Sequence, residues 1–281
     1  MPYVRHYGAA EGPALLALHG IKGHGARWRR MAETSLRDFS VIAPDLRGHG
    51  RSDHAPPWNT EAHVADMLAV LDARHLDRVD LLAHSYGGLI ALRLAHAAPE
   101  RVGRVVLLDP SVGLPAAQMH DMARRALGSG SGSFSDPEQA RAERRSAWPA
   151  ASAAAVEEEV AEHLVRGSDG RWHWRFEPAA VVTACSEMAG PPVTPPATVP
   201  TLLVTARRSG FVSREYVRAC RATLGERLTV AELDAGHMLY LECPEETGEL
   251  TRRFLAQPHA SGSSPSPGKG HWPFRRWAHS R

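Results

Sequence analysis

The stretch Val79-Asp80-Leu81-Leu82-Ala83-His84-Ser85-Tyr86-Gly87-Gly88-Leu89-Ile90-Ala91-Leu92 decides the reading of this chain. It opens as a short apolar run of strand length and ends as a stretch that reads as a helix. Between the two stands Ser85, with the small residue Ala83 two positions before it and Gly87 two after. A serine carried on a sharp strand-to-helix turn needs small neighbours, because strand and helix approach closely there. Gly87 and Gly88 meet that need, and Ala83 adds one methyl that such a turn tolerates. Taken alone, a small-x-Ser-x-Gly match arises often by chance. Its place between a strand and a helix makes Ser85 the candidate nucleophile.

Working outward, short apolar runs alternate with amphipathic stretches, the pattern of βαβ units and a mostly parallel sheet. Strands are expected at Ala14–Leu18, Phe39–Ala43, Val79–Ala83, Arg104–Leu108, Thr201–Thr205 and Leu228–Leu233. Helices are expected at about 26–36, 60–74, 86–97, 213–224 and 245–256. Residues 1–114 and 199–256 therefore read as one α/β core. From 115 to 198 the alternation stops: a Gly/Ser tract at Gly128–Ser133, a helix candidate from Ala150 to Val165, then Trp172, Trp174 and Phe176 before a Pro-rich exit. A loop this long without structure of its own is uncommon, so this region reads as a helical cap inserted between two strands. Residues 257–281 are Ser/Gly/Pro-rich and then basic and aromatic, and read as a disordered tail.

The 281 residues suffice for such a domain, and 43% apolar with 23% charged residues is ordinary for a globular protein. A formal charge of +2 gives no lead towards nucleic acid. Three widely spaced cysteines form neither a disulfide framework nor a zinc site. No apolar run nears the roughly 20 residues that span a bilayer, and the N-terminus has no signal-peptide stretch. A cytoplasmic protein with no integral membrane segment is the expectation; oligomeric state is not legible.

Two further segments carry chemistry. His19-Gly20-Ile21 follows the first core strand, where the backbone N–H of Ile21, with that of Tyr86 after the nucleophile, would form an oxyanion hole. His19 itself reads better as a buried imidazole tying down the loop than as a catalytic group. Asp234-Ala235-Gly236-His237 follows the last strand, from which a histidine can swing over the sheet edge. Among sixteen histidines, His237 alone joins a late position to a strand-Gly-His context, and it is the candidate base for Ser85.

With Pro44-Asp45-Leu46-Arg47-Gly48-His49-Gly50-Arg51-Ser52 added to His19-Gly20, His84–Gly88 and Gly236-His237, the chain resembles the α/β-hydrolase superfamily. The resemblance covers roughly residues 13–110 and 199–256, in the family's order. It implies a mostly parallel sheet of about eight strands flanked by helices, a Ser-His-acid triad and a cap over the site. Many members carry the acid just after the penultimate strand, but here that loop reads Ala206-Arg207-Arg208-Ser209-Gly210-Phe211, without a carboxylate. Others place it one strand earlier, which points to Asp109. Its alternatives are a turn cap before Pro110, Asp234 as the acid, or no acid at all.

The expected activity is hydrolysis of a small, largely apolar carboxylic ester through an acyl-enzyme, with no cofactor, no metal and no nucleic-acid partner. Trp148, Trp172, Trp174 and Met119 or Met122 either line the pocket or merely pack the cap onto the core. The same constellation serves amide, lactone and carbon–carbon bond hydrolysis or perhydrolysis. A non-catalytic ligand-binding homologue is the alternative of another class, kept open by the empty 206–211 loop.

Overall fold

The computed structural model describes residues 1–128 and 132–257. The tail beyond Gln257, and the centre of the Gly/Ser tract, lie outside the described residues. In chain order the elements are β1 (Val4–Gly8), β2 (Ala14–Leu18), α1 (Arg29–Glu33), β3 (Ser40–Pro44), α2 (Thr60–Asp72), β4 (Val79–His84), α3 (Tyr86–Ala97) and β5 (Val102–Leu108). Then come α4 (Ala116–Leu127), β6 (Ser133–Phe134), α5 (Pro137–Ala147), α6 (Ala153–His163), β7 (Leu164–Arg166), β8 (Trp172–Trp174) and α7 (Pro178–Met188). The chain ends with β9 (Thr201–Ala206), α8 (Arg214–Leu224), β10 (Leu228–Leu233), α9 (Leu239–Glu242) and α10 (Pro244–Leu255).

The main sheet has seven strands in the order β1-β3-β2-β4-β5-β9-β10. Only β1 is antiparallel, pairing with β3, and every other pairing is parallel. The count is seven against the expected eight or so, because β1 alone joins the six strands read from the sequence. Apolar side chains alternate between two buried faces, which is why the strands read as near-continuous apolar runs. Leu16 and Leu18 pack with α2, α3 and α8 on one face, while Leu15 and Ala17 pack with Trp28, Met31, Leu250 and Phe254 on the other. The helix expected at 26–36 is instead a 3₁₀ turn, Gly25–Trp28, followed by the short α1. Asn59, Asp136, Ser152 and Ser213 cap α2, α5, α6 and α8 by accepting first-turn N–H groups.

Between β5 and β9 the chain builds four helices and a three-stranded sheet, β6-β8-β7. Hydrogen bonds stitch this segment to the loop after β3: Glu177 N–H to Gly48 C=O and Gly50 N–H to Arg175 C=O, both 2.7 Å. A buried ion cluster also joins it to the core. The Glu159 carboxylate of α6 takes Arg27 in a two-pronged contact (2.6 and 2.9 Å) and His24 at 2.9 Å, with Arg144 at 3.3 Å. Burial opposes the charge on Glu159, yet Arg27, His24 and Arg144 together hold its pKa well below the usual range. Trp148 stacks over Arg27 and Arg144, and Trp174 over Arg144, so both tryptophans help pack the segment onto the core. Met119 is likewise buried in the core. No helix among the described residues is long and apolar enough to cross a membrane.

Candidate active site

Strand β4 delivers Ser85 at φ 55°, ψ −122°, a left-handed backbone that a non-glycine residue rarely adopts. The turn is held by the Ser85 N–H to Leu108 C=O (3.2 Å) and by the Gly88 and Ser111 N–H groups on Ser85 C=O (2.9 and 3.1 Å). Two close approaches explain the glycines around it. A Cβ at Gly87 would lie 2.5 Å from the Leu18 carbonyl oxygen, and one at Gly20 would lie 2.8 Å from the Ser85 Cβ. Helix α3 is thereby pressed onto the end of β2, and the loop after β2 runs directly past the serine.

His237 lies beyond β10, in the loop after Gly236. Its Nε2 is 2.9 Å from Ser85 Oγ and its Nδ1 is 2.7 Å from Asp109 Oδ2. Asp109 follows β5 at φ 43°, and its carboxylate is fully buried. It accepts the Ala206 N–H on Oδ1 (3.1 Å) and the Ser209 hydroxyl on Oδ2. The 206–211 loop, which lacks a carboxylate of its own, thus supplies the donors that hold the carboxylate reaching in from the neighbouring strand. A carboxylate only accepts, so Nδ1 carries the imidazole proton and Nε2 is left to accept from Ser85 Oγ–H. Asp234 pairs instead with Arg208 (2.5 Å) at the surface.

Two further side chains, Phe211 and His84, hold His237 in place. Phe211 stacks on its ring (centroids 4.1 Å apart), the His84 ring lies 4.6 Å away, and His84 Nε2–H donates to the His237 carbonyl at 2.8 Å. Burial, with His237 as neighbour, drives the His84 pKa well below its ordinary value, so it stays a neutral donor. Tyr86 opens α3, where first-turn N–H groups have no partner within the helix. Its side chain is fully buried against His63. Ile21 follows Gly20, the residue in contact with Ser85. His19 ties down this loop, as its sequence context suggests: Nδ1–H donates to Gly20 C=O (2.7 Å) and Nε2 accepts the Leu46 N–H (2.9 Å).

The structure therefore brings together Ser85, His237 and Asp109, with Ile21 and Tyr86 on the two segments that flank the serine. Sequence reasoning missed Ser111, Ser209, Phe211 and His84. Their only signal was a position within five residues of a strand end or next to a named site residue.

Comparisons with known proteins place the fold in a family. The chain belongs to the alpha/beta hydrolase fold family, whose model matches residues 13–244. It is 36% identical over 256 residues to lipase LipV of Mycobacterium tuberculosis, covering 90% of this chain and 97% of that protein. Esterase YbfF of Escherichia coli is 25% identical over 248 residues, 86% of this chain and 92% of its own length. Among solved structures, E-2-(acetamidomethylene)succinate hydrolase superposes with a TM-score of 0.76 at 22% identity, over 90% of this chain and 94% of that chain. A marine microorganism esterase superposes at 0.72 and 24%, over 90% and 98%. At such identities these two structures speak to the fold alone.

Proposed function

We propose that this chain hydrolyses small, largely apolar carboxylic esters through a serine acyl-enzyme. The observation that carries the reading is the unbroken hydrogen-bond chain from Asp109 through His237 to Ser85 Oγ. In the proposed reaction Ser85 Oγ attacks the ester carbonyl carbon as its proton passes to His237 Nε2. The carbonyl oxygen, now negative, is received by the N–H groups of Ile21 and Tyr86. His237 returns the proton to the departing alcohol, then activates a water that releases the acid. Asp109 fixes the tautomer and supplies the counter-charge to the imidazolium. No step calls on a cofactor.

The ester preference draws on the lipase and esterase relatives, and the apolar preference on Phe211 stacked on His237. Residues 115–198 serve as a cap over the site and 1–114 with 199–256 as the catalytic core. The segment's attachment to the loop after β3 and to Arg27 supports this division. The test is to mix the protein rapidly with p-nitrophenyl butyrate, quench, and map any acylated peptide by mass spectrometry. A butyryl group on the Ser85 peptide, absent in Ser85→Ala, is expected. Acylation elsewhere, or steady turnover by folded Ser85→Ala, overturns the proposal.

A further inference from the structure

Ser85 Oγ has a second neighbour besides His237: the hydroxyl of Ser111, at 3.0 Å, in a residue that is fully buried. The direction of that contact follows from counting protons. Asp109 keeps the imidazole proton on Nδ1, so Nε2 takes the single proton of Ser85 Oγ. Oγ is then left as an acceptor towards Ser111, which must be the donor. We infer that Ser111 is a further catalytic group that assists the nucleophile, an inference that rests on Ser85 acting as proposed above.

The chain geometry makes this contact a consequence of where the acid stands. With Asp109 at φ 43° followed by Pro110, the turn after β5 doubles back and sets Ser111 N–H on the Ser85 carbonyl at 3.1 Å. One three-residue turn thus presents a carboxylate to His237 and a hydroxyl to Ser85. As the Ser85 proton moves to Nε2 and the Oγ–carbon bond forms, the Ser111 proton stays on its own oxygen and donates to the remaining electron pair of Oγ. Charge building on Oγ meets a donor already in place, in a site withdrawn from water. In the second half-reaction the carbon–Oγ bond breaks, Oγ leaves with its electron pair and recovers the proton from His237. The same donor meets the same charge, so both acylation and deacylation benefit.

The backbone bond from Ser111 N–H survives any side-chain replacement, which lets the hydroxyl be tested apart from the turn. Ser111→Ala removes the donor, and Ser111→Cys keeps nearly the same shape with a much weaker one. The readouts are the second-order rate of inactivation by a fluorophosphonate, kcat and KM for p-nitrophenyl butyrate, and the melting temperature, with Ser85→Ala as control. Expected in both variants is a fall of about 10–100-fold in inactivation rate and kcat, the scale of one charge-assisted hydrogen bond, with KM and melting temperature near wild type. The Cys variant carries the test if Ala does not fold. Wild-type inactivation rates in a folded variant overturn the inference, as does a loss that tracks a rise in KM and a drop in melting temperature. A wild type that the fluorophosphonate does not label at Ser85 overturns the acyl-enzyme reading itself and this inference with it.

Discussion

Asp109 and Glu159 are both carboxylates withdrawn from water, 0% and 2% exposed, and they differ in the company they keep. Glu159 is met by the guanidinium groups of Arg27 and Arg144 and by the His24 ring, so its charge is taken up by two cations that cannot leave. Among the described residues Asp109 has no arginine partner. It is held by a backbone amide, a hydroxyl and an imidazole. A buried charge with no arginine on it remains available to a cation that forms later, which is what His237 becomes in the proposed reaction. One carboxylate fastens the 115–198 segment to the core; the other, in the proposed reaction, serves His237.

Removing each charge separates the two roles. Asp109→Asn is expected to lower kcat by about ten-thousand-fold, the scale seen when a triad loses its tautomer control, while the protein stays folded by circular dichroism. Glu159→Gln strands Arg27 and Arg144 and is expected to cost about 3–5 kcal/mol in denaturant unfolding, with kcat of the folded fraction changed by little. If the Glu159 variant instead lost activity at full stability, the division between fastener and catalyst would fail. A smaller effect is expected at the support of Asp109. Ser209→Ala removes one donor to Oδ2 and should reduce kcat about tenfold, checked at saturating p-nitrophenyl butyrate.

Acid should touch the two regions alike, through buried imidazoles. Burial lowers His49 to about 3 and His63 to about 4, and drives His19, His84 and His163 well below the ordinary 6.5. Because these folded-state values lie below the unfolded one, the unfolded chain binds more protons in acid. Stability is then fully present above about pH 6.5 and falls as pH drops towards the folded values, by up to about 1.4 kcal/mol per pH unit for each histidine. Urea midpoints taken between pH 7 and 5 should fall steadily; a flat profile would mean that these imidazoles are protonated in the fold.

Much of the catalytic edge was legible because strand ends announce themselves. Ala14–Leu18 and Leu228–Leu233 are strands with the bounds read from their apolar runs, and Ser85 and His237 stand just past two such runs. Asp109 was chosen as the acid on the family resemblance, with alternatives left open, since nothing local says that a residue before proline will take a positive φ and turn back towards His237. Ser111 and Ser209 were invisible for the same reason: their partners are fixed by that turn and by the adjacency of β5 and β9, not by spacing. The 115–198 segment was least legible. Its strands are two or three residues long, too short for periodicity to register, and α7 carried no signal beyond its Pro178 start.

The most direct test of the account is the initial rate of p-nitrophenyl acetate and butyrate hydrolysis by wild type, Ser85→Ala and Asp109→Asn, each verified as folded. The account predicts turnover by the wild type, background rates for Ser85→Ala and a severe loss for Asp109→Asn. Undiminished hydrolysis by either variant would contradict it.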